Sequence, residues 1–172
     1  MTSGLLLVAL NKSAAQQFQV MFSQREINKY YLAVSDQKPK KKQGWVKGDM
    51  LNARNGSWKL SKTQENPAIT QFLSVSLQPK ERLFLLKPHS GKTHQLRVMM
   101  KSISAPICGD QRYALKVQAE KEDRGYLHAY ALQFSWQGKT FNFVQPPSMG
   151  SRFLSELCQA QLALWRAPWE EW

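Results

Sequence analysis

The chain has 172 residues, 42% hydrophobic and 21% charged, which suits one globular domain over residues 1–172 with a single buried core. Its 24 Lys plus Arg against 12 Asp plus Glu leave a net charge of +12, so a polyanion, nucleic acid foremost, is the expected partner. Cys108 and Cys158 lie outside any CxxC or Cys/His spacing, and the apolar run Leu5–Leu10 is far short of the roughly 20 residues a membrane span needs; neither a disulfide framework nor a structural zinc nor a membrane span is therefore expected, and a cytoplasmic protein is expected.

Leu5-Leu6-Leu7-Val8-Ala9-Leu10 has no turn before it and reads as a buried strand entered from its middle. Ser13 with Gln16 makes a capping box, and Ala14, Phe18, Met21 and Phe22 recur on one face, predicting a helix to about Arg25. Lys29 to Val34 alternates as a strand, pointing Tyr30 and Tyr31 to opposite faces. The polar, turn-rich stretch through Lys38-Pro39-Lys40-Lys41-Lys42, Trp45 and Asn55-Gly56 predicts an exposed hairpin or ribbon.

Thr70 to Leu77 and Arg82 to Leu86 read as hairpin partners around Gln78-Pro79-Lys80. After a turn at Pro88 to Lys92, Thr93 is expected to cap a helix with Leu96, Met100 and Ile103 facing the core, while His94, Arg97 and Lys101 share a polar face. Leu127 to Trp136 and Thr140 to Val144 form a further strand pair, and Phe153, Leu154, Leu157 and Leu164 mark a closing helix. Trp165, Trp169 and Trp172 read as packing that docks the end of the chain. The expected fold is α+β, a mixed, mainly antiparallel sheet with flanking helices.

No GxSxG, HExxH, Cys/His/Asn pattern or phosphate-cradling glycine loop is present, so neither a hydrolase site nor a metal site is expected. The concentrated signal is Ser90-Gly91 leading into Thr93-His94-Gln95-Leu96-Arg97, which sets a guanidinium, able to hold a carboxylate in bidentate geometry, on the first turns of a helix. Read plainly, Arg97 could also be an ordinary helix salt bridge and Tyr31 a half-buried strand aromatic. His94 and Gln95 are expected to secure the loop by hydrogen bonds, Asp110 to fix a turn after Gly109, and His128 to satisfy a strand end.

Five segments in fixed order resemble the RluA-type pseudouridine synthase family. Thr2-Ser3-Gly4-Leu5-Leu6-Leu7 is similar to the end of its HRLDxxTSGLLL motif, and Arg25-Glu26 through Lys29-Tyr30-Tyr31-Leu32-Ala33 to its second motif. Pro67-Ala68-Ile69-Thr70 resembles PAxT, Gly91 to Arg97 resembles GRTHQLR, and Pro106 to Tyr113 resembles PIxGDxxY, with Leu127-His128-Ala129 after them. Lys92 stands where that family usually has arginine, and Met99 where histidine is common.

The resemblance implies the catalytic-domain fold of that family, lacking its N-terminal strand or strands, and isomerisation of uridine to pseudouridine in ribosomal or transfer RNA without cofactor or metal. It makes Tyr31 and Arg97 the catalytic residues and Arg25, Lys29, Lys92, His94, Gln95 and Lys101 the RNA contacts, with the Lys38–Lys42 run either a further contact or a solvated loop. The nucleophilic aspartate of the motif belongs three residues before Thr2, upstream of Met1. Met1 is accordingly expected to be an internal methionine of a longer motif, and the chain by itself to turn over no RNA; the alternative is a non-catalytic RNA-binding paralogue.

Overall fold

Nine strands and four helices organise residues 2–172, which a computed structural model describes. The strands are β1 (Ser3–Gly4), β2 (Asn28–Ser35), β3 (Gln43–Gly48), β4 (Met50–Asn52), β5 (Trp58–Leu60), β6 (Ala68–Gln78), β7 (Glu81–Pro88), β8 (Leu127–Trp136) and β9 (Lys139–Val144). The helices are α1 (Lys12–Ser23), α2 (Gln95–Ser102), α3 (Lys116–Ala119) and α4 (Glu156–Leu164). One seven-stranded sheet runs β1-β8-β2-β7-β6-β3 with β9 also on β8, and β4 and β5 make a separate ribbon. All pairings are antiparallel except β1 with β8, which is the expected α+β fold.

The centre of the sheet is covered on both faces, so its strands are continuously apolar. Leu83, Phe84, Leu85 and Leu86 are all 0% exposed, and Leu32, Ala33 and Val34 on β2 match them. Each such large side chain contributes about 1.5–3 kcal/mol by leaving water. Leu96, Met99 and Met100 of α2 and Leu162 and Trp165 at the end of α4 belong to the same core. Trp169 and Trp172 pack against it, as expected of the closing segment.

The apolar run near the start departs from expectation. Only Ser3 and Gly4 pair, opposite His128 and Ala129, and Leu6, Val8 and Leu10 stand 84%, 66% and 93% exposed. The reason is competition for one edge: β9 takes β8 from Ala131 to Trp136, so residues after Leu5 have no strand left to pair with. Asn11, not Ser13, caps α1 by accepting from the Ala14 amide, and Phe22 is exposed while Phe18 and Met21 are buried. Residues 43–48 join the main sheet as its edge instead of an exposed ribbon, and only β4 and β5, turning at Asn55-Gly56, form the ribbon expected there. In α4 the buried residues are Cys158 and Leu162, with Leu157 and Leu164 on the exposed side, while Phe153 and Leu154 lie in the turn before the helix.

Candidate active site and nucleic-acid face

Tyr31 lies between Leu86 of β7 and Ala129 of β8, next to an irregularity where Tyr30 faces Ala131 and Tyr31 faces Ala129. Such a bulge re-aims one side chain relative to its neighbours. Burial raises the Tyr31 phenol above its ordinary pKa, so it is a neutral hydroxyl at neutral pH.

The loop leading into α2 is fixed from below by Gln95. Its amide nitrogen donates to the Ile69 carbonyl and Thr70 Oγ1, both at 3.0 Å, and its oxygen accepts from Ser90 Oγ at 2.8 Å and the Lys92 amide at 3.0 Å. Those four bonds use the whole capacity of a carboxamide. Gln95 therefore shapes the loop and is withdrawn from the RNA contacts that the resemblance implies; it is 5% exposed.

Thr93 does not cap α2. The residue before the helix is His94, held left-handed at φ 57° with no side-chain cap bond, a conformation costing roughly 1 kcal/mol for a non-glycine residue. Tyr113 holds it there, with the phenol oxygen 3.0 Å from the Trp58 amide, which donates to it, and 2.9 Å from His94 Nδ1. The Tyr113 oxygen thus accepts from the Trp58 amide and shares a second hydrogen bond with His94 Nδ1. Burial and then the nearby Arg97 and Arg112 lower the His94 pKa, in agreement with a neutral ring.

Arg97 is gripped by Asp110. Nε donates to Oδ2 at 2.8 Å and Nη2 to Oδ1 at 2.7 Å, and the guanidinium lies 5.0 Å from the centre of the Tyr113 ring. Asp110 also accepts from the Arg112 and Tyr113 amides, which makes it the turn residue the sequence suggested. Burial alone would raise its pKa, but Arg97 and the two amides outweigh that and hold it below the carboxylate range. A carboxylate so fully engaged is no free nucleophile. Among the described residues Nη1 of Arg97 has no hydrogen-bond partner.

Thr2, Lys29, Tyr31, Lys92, His94 and Arg97 line one cavity of about 260 Å³. A second cavity, of about 340 Å³, shares Lys29, Pro88, Ser90 and Gly91 with it and contains Arg25. Lys101 lies outside both, exposed on α2 with Nζ 5.8 Å from the Tyr113 ring centre. The Lys38–Lys42 run does not join them: it lies beside Ser76, Lys80 and Arg82, at the other end of β2 and β7. Of its two readings, the solvated loop fits this placement.

Two features had no signal in the sequence. Tyr113 ties together the β4–β5 ribbon, His94 and Arg97. Arg124 donates to Ser3 Oγ at 2.6 Å, Ser3 lies 2.8 Å from His128 Nδ1, and His128 Nε2 lies 2.7 Å from the Gln145 carbonyl. The carbonyl requires a proton on Nε2, so Nδ1 accepts from Ser3. This chain of bonds pins β1, and with it Thr2, at the rim of the cavity.

Comparison with known proteins gives one consistent result. The sequence pattern of a family described as RNA pseudouridylate synthase matches residues 1–102. An "Uncharacterized RNA pseudouridine synthase" of Haemophilus influenzae is 50% identical over 164 residues, 95% of this chain and 72% of that protein. The ribosomal large subunit pseudouridine synthase C of Rickettsia bellii is 35% identical over 134 residues, 74% of this chain but 44% of its own length. Among solved structures, human RNA pseudouridylate synthase domain containing 1 superposes with a TM-score of 0.70 at 25% identity, covering 93% of this chain and 74% of that one.

Proposed function

Because the chain belongs to the RNA pseudouridylate synthase family, we propose that its cavity receives a uridine extruded from ribosomal or transfer RNA in the cytoplasm, and that Tyr31 and Arg97 serve the conversion to pseudouridine there. The observation that carries this reading is that Tyr31 of β2 and Arg97 of α2, far apart in sequence, line one cavity together with Thr2, His94 and two lysines, Lys29 and Lys92. In the reaction the bond from uracil N1 to the ribose C1′ breaks, the base turns, a bond from C5 to C1′ forms, a proton leaves C5 and N1 ends protonated, so that the product is an isomer of the substrate.

The carboxylate that attacks would come from the chain leading into Thr2, three residues before it, which is within reach of Arg97 at about 3.5 Å per residue. Arg97, already charged and oriented by Asp110, offers Nη1 to that second carboxylate. Tyr31 packs on the uracil as a neutral ring and passes on a proton instead of standing as a base, because burial disfavours its phenolate. Lys29 and Lys92 hold the flanking phosphates, which offsets the few kcal/mol that base extrusion costs.

Release of tritium from RNA labelled at uridine C5 tests the reading. The 172-residue chain should release none, and the same chain preceded by a segment ending in the family's HRLD motif should release it. Turnover by the shorter chain would refute an upstream nucleophile. RNA binding without turnover by the longer one would make the protein the non-catalytic paralogue.

A further inference from the structure

Around the outer end of β7 lies a cationic cluster that meets the isomerisation site at Lys29 and extends beyond it. Lys87 of β7 and His89 just after it follow each other on one face of the sheet, in register with Gln71 and beside Ile69 of β6, which in turn face Trp45 and Lys47 on the edge strand β3. Trp45 is 47% exposed, an unusual place for an indole on an edge strand. Its ring lies over that of His89, with centres 4.8 Å apart and planes at 32°, and Lys47 Nζ is 5.3 Å from the indole centre. One face of the indole is thus fixed by the protein.

Charge around this platform is one-sided. None of Arg25, Lys29, Lys47 and Lys87 forms an ion pair among the described residues. All four press on His89, whose pKa is lowered by burial and then by Lys87, Arg25, Lys29 and Lys47, and its buried Nε2 has no hydrogen-bond partner among the described residues. Arg25 is held left-handed at φ 62°. Uncompensated cations repel one another, and such a cluster is relieved when a polyanion covers it. A flat aromatic face beside cations matches a nucleotide, which has both a stacking base and a phosphate; an acidic peptide would use the cations alone.

The cluster is continuous with the isomerisation site. His89 and Arg25 line the cavity of about 340 Å³ that shares Lys29, Pro88, Ser90 and Gly91 with the cavity of Tyr31 and Arg97. We propose that Trp45, backed by His89 and flanked by Lys47, is a stacking platform for an unpaired nucleotide flanking the target uridine, with Arg25 and Lys29 holding the phosphates between the two sites. The platform rests on the RNA-modifying function proposed above and adds a determinant of substrate choice to it: RNA with an unpaired residue beside the target is favoured over continuous duplex.

Fluorescence anisotropy with a labelled single-stranded oligouridylate of about ten nucleotides, a length within usual single-strand site sizes, tests the platform on the full chain. Trp45→Leu keeps apolar bulk but removes the π face and should weaken binding about 5- to 100-fold, whereas Trp45→Phe should stay within about threefold of the unmodified protein. Lys47→Gln should reduce the slope of log affinity against log salt by about 0.7, and Trp45→Leu should leave that slope unchanged. Equal affinity of the Leu variant and the unmodified protein overturns the platform while the RNA-modifying function stands. Equal losses for Leu and Phe, or an oligoglutamate bound as tightly as the RNA, also overturn it. An unmodified protein that binds no RNA overturns both.

Discussion

Arg97 and Asp110 meet fork to fork, with two hydrogen bonds of 2.8 and 2.7 Å between a side chain 28% exposed and one 3% exposed. The pair fixes the guanidinium plane before any substrate arrives. Asp110→Asn leaves Arg97 without its counter-charge and should cost about 2–4 kcal/mol in urea unfolding at neutral pH. Because the folded carboxyl lies below its ordinary value of 3.8, its contribution is complete above that pH and is lost as pH falls below it. The gap between the two proteins should therefore narrow progressively in melts run below pH 3.8; a gap that stayed constant as pH fell would show that the carboxylate's charge is not what stabilises.

Arg97→Lys keeps the charge and removes the planar fork. In the protein carrying the complete catalytic motif, kcat should fall by about 100- to 1000-fold, the usual cost of losing one oriented charge at a reacting group. RNA affinity should change by no more than a few-fold, since Arg97 faces carboxylates and the phosphates are met by Lys29 and Lys92. Parallel losses in affinity and kcat would instead make Arg97 an RNA contact.

The bonds from Arg124 through Ser3 to His128 make β1 sensitive to mild acid. Burial, then Arg124 after the opposing effect of the Gln145 carbonyl, lowers the His128 pKa below its ordinary 6.5. The neutral ring's stabilisation is present above 6.5 and fades as pH falls through the lowered value, because a proton on Nδ1 ends its bond from Ser3. Hydrogen exchange at the Leu5 amide, which is bonded to Ala129 O at 2.9 Å, should lose protection as pH is brought below 6.5, after correction for intrinsic rates. His128→Asn should remove that dependence.

Gly109 at φ +74° sits so that an added Cβ would lie 1.8 Å from the Arg124 carbonyl oxygen. Gly109→Ala must displace backbone on one side or the other and should cost roughly 3 kcal/mol, lowering Tm by several degrees in calorimetry. The displacement falls on Asp110, the next residue, so RNA turnover should fall together with stability. Gly138→Ala, where the added Cβ meets nothing within 4 Å, is the control for strain without a clash.

Alternating residues in β2, β6 and β8, and the unbroken apolar run Leu83–Leu86 in β7, made these strands legible because each buries defined side chains against the core. β3 escaped because it is an edge: Gln43, Trp45 and Lys47 face solvent, and little but Val46 packs inward. Leu5–Leu10 misled for the opposite reason, since apolar content says nothing of whether a partner edge is vacant, and β9 already occupies this one. In the site, motif residues could be named from their order along the chain, whereas the Asp110 grip on Arg97 and the hub at Tyr113 could not. Tyr113 draws its contacts from the ribbon, from the residue before α2 and from α2 itself, and no local pattern encodes a meeting of distant segments.

Ser3 and His128 are 125 residues apart, yet their bond holds the rim of the cavity. On a ribosome, residues 2–5 emerge early and must wait until β8 and the start of its pairing with β9 have been synthesised before they have an edge to bind. Closing so long a loop is slow and comes after the local hairpins β6–β7 and β8–β9. The wall that carries Thr2 is therefore among the last parts of the site to assemble, and a nascent chain in which β8 has yet to be made has no finished pocket.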